Sequence, residues 1–502
     1  MKTQALWEAI STRATTYPTL SNDIEVDVAI IGGGITGITA ASQLIQAGKT
    51  IAILEAHQIG GVTTSYSTGN LYIPVQPFYQ HIAAKFNFET ANNIAHSRKY
   101  AIDFIEKNIQ DKNINCNFMR RPWYGYTNDH ERISLDKEVN LLKEMEIPIE
   151  YIQEMPLQFT FKKAVTIPNQ ARFNPLQYVI SMAEDITKKN GAIFENTRVI
   201  DMNETDICVL KTSSGTVTAK KVLMATHTPI GINITQMFTA PYRSYVVSAH
   251  LKDNHYPEGH FWDLDRSTHA TCTHPISEKN VPELIMVAGN HHKVGQNKDT
   301  SLPYKHLEKF LSDHFAVSDI SYHWSAQHYQ SADKVPYIGL ASRSAKHTYI
   351  ATGYFADGLV YGTLAGILIS DCILENKNPL TQTYQSTRFD PIASLPSFVK
   401  ENTNVFIQYL KDYPILFSKH YDDIKIGEGK ILEINQEKCA VSRDENNQLN
   451  ILSAVCPHMK CIVNWNSAEK TWDCPCHGSR FTQQGEVIEG PAKDNLAKLK
   501  IN

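Results

Sequence analysis

The segment from Val26 to Leu54 constrains the fold more than any other stretch of the chain. A β-branched apolar run, Val26 to Ile31, ends at Gly32; a helical pattern follows from Ile35 to Ala47, and a second strand pattern covers Thr50 to Leu54. This is a βαβ unit with tight connections. Its turn reads Gly32-Gly33-Gly34-Ile35-Thr36-Gly37, a GxGxxG fingerprint for a dinucleotide. Gly32 permits the tight turn, Gly34 lets a pyrophosphate approach the backbone at the helix N-terminus, and Gly37 lets the helix pack against the strand. Glu55 lies eighteen residues past Gly37, at the end of the second strand, where a carboxylate can accept hydrogen bonds from adenosine ribose hydroxyls. A glycine-rich turn without a ligand is the alternative, and this full context disfavours it. The fingerprint occurs once; the GEG at Gly427 lacks a third glycine and a following helix, so NAD(P)H is disfavoured as reductant.

A chain of 502 residues exceeds what one hydrophobic core supports, so two or three domains are expected. Strand patterns at Thr197 to Ile200, Lys221 to Ala225 and Tyr349 to Thr352, the last before a glycine-punctuated helix, spread one nucleotide fold along the chain. The insertions between them, near 80–165 and 240–325, alternate apolar and polar residues in stretches such as Tyr245 to Leu251 and Glu283 to Val287. That alternation suits an antiparallel sheet capping the cofactor. The expected order is an N-terminal segment, 1–25, then an α/β Rossmann-type domain over 26–380. Its cofactor-binding parts fall near 26–80, 165–235 and 326–380, and its substrate-capping parts near 81–164 and 236–325. A linker with one helix, Phe398 to Leu410, occupies 381–417, and an all-β unit with glycine punctuation fills 418–502.

The formal charge of -4 shows no basic excess, which disfavours a nucleic-acid partner. The first twenty residues hold no apolar core behind a basic start, and the most membrane-like stretch, Leu359 to Leu374, is broken by Gly362, Gly366 and Asp371. A cytoplasmic protein with no membrane span is therefore expected. Cys116, Cys208, Cys272, Cys372 and Cys439 are scattered, as buried small hydrophobes are, whereas Cys456, Cys461, Cys474 and Cys476 crowd together. Cys456-Pro-His458 and Cys474-Pro-Cys476-His477 each offer one thiolate and one imidazole, the donor set of a Rieske-type [2Fe–2S] centre. A zinc site is the alternative, disfavoured by the six-residue pattern with its Gly-Ser tail.

From about residue 5 to 380 the chain resembles the D-amino-acid oxidase family of FAD enzymes. The matching pieces are VDVAIIGGGITGITAASQL, the LEA at Glu55, GGVTTS from Gly60, VLMATH from Val222, DKVPYIG from Asp333 and GYFADGLVYGTLAG from Gly353. The resemblance implies FAD, with Gly353 and Gly358 where backbone meets flavin and Val199 where backbone meets adenine. It departs at SYSTGNLY, where many members carry Arg-Asn-x-Gly. Lys293, in HHKVGQ, resembles the lysine that the sarcosine oxidase branch places near the flavin, and is the candidate catalytic residue; a solvated loop lysine is the alternative.

Residues 420–500 resemble Rieske proteins of the cytochrome bc type, including WDCPCHGSRF and GEVIEGPA. The resemblance implies ligation by Cys456, His458, Cys474 and His477 and a disulfide between Cys461 and Cys476. Phe481 stands where high-potential members carry a tyrosine whose hydroxyl bonds a cluster sulfur, so a lower potential is expected; Lys460 replaces the usual glycine. The combined expectation is oxidation of a C–N bond in an amine or amino acid, with electrons leaving FAD singly through the cluster to an unidentified one-electron acceptor. The alternatives are a reductase running from a one-electron donor through the cluster to FAD, a pure electron carrier, and an oxygenase with iron on Asp265, His269 and His274.

Overall fold

A computed structural model describes residues 3–128, 133–253, 255–265, 269–274, 283–388, 398–405, 407–408 and 423–499. The strand Ile24–Ile31 lies at the centre of the first sheet, parallel to Thr216–Met224 on one side and to Ile51–Leu54 on the other. Thr348–Thr352 and Ala192–Phe194 extend this parallel core. Its central strands are buried on both faces: Val28, Ile30, Ile51 and Ile53 pack on the helices, and Ala29, Ile31, Ala52 and Leu54 pack on Val199, Cys208 and Leu210. The helix Gly358–Ile373 is buried along nearly its whole length and crosses the dinucleotide helix Ile35–Gln46. Close approach explains its glycines: a Cβ on Gly366 would stand 2.8 Å from the Thr36 carbonyl oxygen. Among the described residues, no helix is long and apolar enough to cross a membrane.

A second sheet runs in the order Val317–Ser331, Thr239–Leu251, Leu284–Lys293, Ala270–His274, His260–Asp263, Met119–Thr127, Lys163–Arg172, Asn70–Leu71. It is antiparallel apart from one pair, His260–Asp263 with Met119–Thr127. Two expectations are corrected. The first insertion joins the sheet through Met119–Thr127 and Glu150–Ile152 but is helical over Tyr79–Lys85, Phe88–Asp111 and Leu135–Glu144, where its apolar residues recur at helical rather than alternating spacing. Thr197–Ile200 is not a strand: its apolar residues anchor a connection, Thr197 N–H donating to the Glu55 carbonyl, and the strand begins at Asp201.

The C-terminal unit consists of a three-stranded and a four-stranded antiparallel sheet. Asn435 and Gln436, both at positive φ, close the hairpin between Gly429–Ile434 and Glu437–Arg443, the two-residue turn that the strand twist favours. The unit docks on the second sheet through a buried ion network. Arg243 pairs with Glu469, which also accepts from Ser325, Tyr304 and Arg480, while Arg480 reaches Asp473 at 3.0 Å and Glu489 at 3.1 Å. Burial pushes the Glu469 carboxyl up, but the Arg243 and Arg480 guanidinium groups outweigh it and hold the carboxyl below its usual range.

A depressed carboxyl contributes stability that is fully present above its ordinary value of 4.5 and is lost as pH falls through the lower folded value. Glu469→Ala strands the Arg243 charge in the interface, at a cost of about 3–5 kcal/mol. Denaturant titration of the variant is expected to show that loss near neutral pH and a smaller one in acid. An unchanged midpoint at pH 7 contradicts the assignment.

Candidate functional site

The carboxyl ends of the parallel strands open onto a cavity of about 740 Å³, within the range of roughly 300–1,000 Å³ usual for small-molecule and cofactor sites. Gly32, Gly34, Ile35, Thr36, Glu55, Val199 and Gly358 line it. Gly32 has φ 105°, and a Cβ there would strike the Ala225 carbonyl oxygen at 2.6 Å. The helix Ile35–Gln46 starts at Gly34, which offers no side-chain cap; the Ile35 N–H donates to the Thr64 hydroxyl at 3.2 Å, and the helix N-terminus faces what a pyrophosphate would occupy. Glu55 Oε2 accepts the Gly33 N–H at 2.7 Å and Oε1 accepts the His57 N–H at 2.8 Å. Burial pushes this carboxyl up, while those N–H groups, His57 and Arg198 partly offset the effect. Each oxygen keeps acceptor capacity for a ribose hydroxyl. These features fit the adenosine and pyrophosphate of FAD.

Not every expected residue lines the cavity. Gly33 holds Glu55 through its N–H, and Gly37 serves helix packing, since a Cβ there would lie 2.0 Å from the Gly32 carbonyl oxygen. Gly353, at φ 81°, makes the turn that delivers Tyr354 to Gly358 to the wall. Lys293 lies elsewhere: its ammonium pairs with Glu401, and it borders a small second cavity with Pro475, Cys476 and His477. The lysines on the large cavity are Lys334 and Lys493. Burial lowers the Lys334 pKa, and its Nζ sits 5.6 Å from the Phe355 ring centroid.

Two further stretches of the wall come from the capping sheet, whose alternation was legible though not its individual cavity residues, and from the C-terminal unit, which local patterns did not indicate. Tyr242, Ser244, His291, His328 and Gln330 project from the second sheet, with the Ser244 hydroxyl 2.6 Å from His291 Nδ1 and 3.2 Å from His328 Nδ1. Ile488, Glu489, Gly490, Ala492 and Lys493 come from the C-terminal unit. Arg198 and His57 anchor that segment, Arg198 donating to the Val487 carbonyl at 2.9 Å and His57 Nε2 lying 3.3 Å from the Ile488 carbonyl.

Beside this cavity the two Cys/His loops meet. The Cys456 thiol, hydrogen-bonded by Cys474 and by Ser479, is drawn down to about 7. The His458 and His477 rings lie 5.0 Å apart at 83°, and His477 Nδ1 is buried without a hydrogen-bond partner. His458 Nε2 lies 3.1 Å from Gln236 Oε1 and 3.2 Å from the Gly231 carbonyl, so it carries the proton and leaves Nδ1 as the free donor atom. Two sulfurs and two unengaged imidazole nitrogens fit a [2Fe–2S] cluster. Cys461 and Cys476 form a disulfide joining the loops. Cys474 lies within 4.8 Å of both, the metal-like grouping found among the described residues, but two of its three sulfurs are spent in that bond.

The spacing of Asp265, His269 and His274 does not make an iron site. Asp265 accepts from Thr127 and Asn128, His269 stacks on Phe310, and His274 Nε2 lies 2.9 Å from the Thr68 carbonyl. The three side chains are thus engaged by different partners.

Comparison with known proteins agrees with this geometry. Residues 27–372 match the family described as DAO, FAD dependent oxidoreductase, and residues 415–500 match the Rieske [2Fe-2S] domain. The Bacillus subtilis protein YhfW, named as a Rieske 2Fe-2S iron-sulfur protein, is 31% identical over 99% of this chain and 98% of its own length. Gamma-glutamylputrescine oxidoreductase of Escherichia coli is 22% identical over 79% of this chain and 92% of its own. Glycine oxidase from Geobacillus kaustophilus superposes with a TM-score of 0.60 at 16% identity, over 73% of this chain and 99% of that one. The protein thus uses FAD and a [2Fe–2S] cluster. It belongs to the DAO family of FAD-dependent oxidoreductases, extended at its C-terminus by a Rieske domain.

Proposed function

We propose that the protein is a dehydrogenase that oxidises a C–N bond of an amine or amino acid and sends the electrons one at a time through the Rieske cluster to an external acceptor. The observation that carries this reading is the shared wall: one cavity bears the dinucleotide fingerprint, a histidine-lined sheet face and residues 488–493 of the Rieske domain. When bound, FAD supplies a two-electron hydride acceptor and the cluster a one-electron carrier. The relatives named for gamma-glutamylputrescine and glycine support an amine or amino-acid substrate. Anaerobic addition of a panel of amines and amino acids tests the reading. At least one is expected to bleach the flavin, and none doing so would contradict it.

The chain's own contribution to the chemistry is proton handling. An ammonium substrate must lose a proton before hydride can leave its carbon. Burial holds His328 well below its ordinary pKa of 6.5, so it remains neutral as pH falls through that value; its acceptor nitrogen, Nε2, receives the Gln330 amide at 3.3 Å, a donor that a substrate ammonium would displace. Ser244 orients it, and His291 bonds the same hydroxyl. His328→Asn is expected to slow flavin bleaching by about 10²–10⁴-fold, the usual worth of a positioned base, without loss of bound FAD. Stopped-flow bleaching checks this, and an unchanged rate assigns the proton to another group.

One observation favours a second reading, a reductase with electrons running inward. Phe481 is fully buried in the core around the ligand cysteines and offers no hydroxyl to a cluster sulfur, which lowers the potential. A cluster potential well below that of the FAD supports this direction.

A further inference from the structure

Resting on the proposed transfer between FAD and cluster, we infer that Tyr329 is the bridge between the two centres and that Gln327 holds it in register. Tyr329 lines the FAD cavity and is 2% exposed. Its hydroxyl donates to the backbone carbonyl of His477, a cluster ligand, at 3.2 Å, and lies 3.5 Å from the Gly490 carbonyl on the cavity wall. The same residue therefore touches the cofactor cavity and the ligand loop.

The surroundings fix this bridge from three sides. Gln327 Nε2 donates to the Tyr329 hydroxyl at 3.0 Å and to the Gly478 carbonyl at 2.8 Å. His227, also on the cavity wall, meets the Tyr329 ring edge-on with centroids 4.9 Å apart, and the Tyr329 carbonyl accepts the N–H of Phe355 at 2.9 Å. The second ligand histidine is tied to the same domain, through Gln236 and Gly231. His458 through its ring and His477 through its backbone carbonyl are thus both held against the flavoprotein domain.

The electron count closes on this path. FAD held in this cavity would supply two electrons and one proton, the proton going to solvent, and a cluster held by Cys456, His458, Cys474 and His477 would take the electrons singly, the external one-electron acceptor being the final oxidant. Tyr329 stays chemically unchanged; its role is to fill the gap and fix the distance.

The test uses the full holoprotein and needs no substrate. A flash-generated deazaflavin radical reduces one centre, and redistribution of the electron is followed at the flavin and cluster absorption bands. Tyr329→Phe keeps the ring and removes the hydrogen bonds to His477 and Gly490; Gln327→Met keeps volume and removes the clamp. Both are expected to slow redistribution by about tenfold or more, as small misplacements at a reacting pair do. FAD content, cluster spectrum and the two potentials are expected to stay as in the wild type. Wild-type rates in both variants, with both centres intact, overturn the bridge. No redistribution in the wild type instead overturns the proposed function itself.

Discussion

Glu55→Arg is expected to yield protein without FAD that still shows a normal Rieske spectrum. The carboxylate does two things: it accepts the N–H groups of Gly33 and His57, shaping the glycine turn, and it presents the acceptors that ribose hydroxyls need. Arginine accepts nothing, leaves both N–H groups unpaired, and adds a second cation beside Arg198, which already lines the same cavity. Losing two charge-assisted hydrogen bonds costs about 3–6 kcal/mol, or about 10²–10⁴-fold in affinity, before repulsion is added. Glu55→Gln keeps an acceptor and is expected to lose much less. The cluster survives because its ligands lie in a unit with its own core, the one built around Trp472 and Phe481. Flavin released by acid, set against the iron content of the same sample, checks the result. Loss of both centres together would show that the domains do not fold independently.

His477→Ala is expected to separate flavin reduction from turnover. One iron would keep a single imidazole, so the cluster is lost or converted. The side chain lies outside the dinucleotide wall, and its contact with Tyr329 is through the backbone carbonyl, which alanine retains. Substrate should therefore bleach FAD at close to the wild-type rate. Turnover with a one-electron acceptor is expected to fall by about 10²-fold or more, since the exit centre is gone. Steady-state assays beside anaerobic stopped-flow check both halves. Unchanged turnover would make the cluster structural.

What could be read from sequence, and what could not, follows from range of contact. The fingerprint with Glu55 and the proposed ligand set Cys456, His458, Cys474 and His477 stand out as local patterns because each spacing maps to one turn or loop. The disulfide rested on resemblance and is present. Lys293 shows where resemblance fails: the strand Leu284–Lys293 runs on past the cavity and hands the lysine to Glu401, more than a hundred residues away. Tyr329, Arg243 and Glu469 belong to pairings between a sheet face and another domain, and His328 to a pairing across neighbouring strands of one sheet; such long-range pairings leave no local period. Residues 488–492 were legible as part of a Rieske motif, but not as the wall of another domain's cavity.

The central claim is that electrons taken from a C–N bond reach the cluster through FAD. Rapid freeze-quench electron paramagnetic resonance, after anaerobic mixing with an amine or amino acid that bleaches the flavin, tests it most directly. The account predicts that the signal of a reduced Rieske cluster appears after the flavin absorbance falls, and that it is absent when FAD has been removed. A cluster that stays oxidised while the flavin is fully reduced, or one reduced by substrate in protein without FAD, would contradict it.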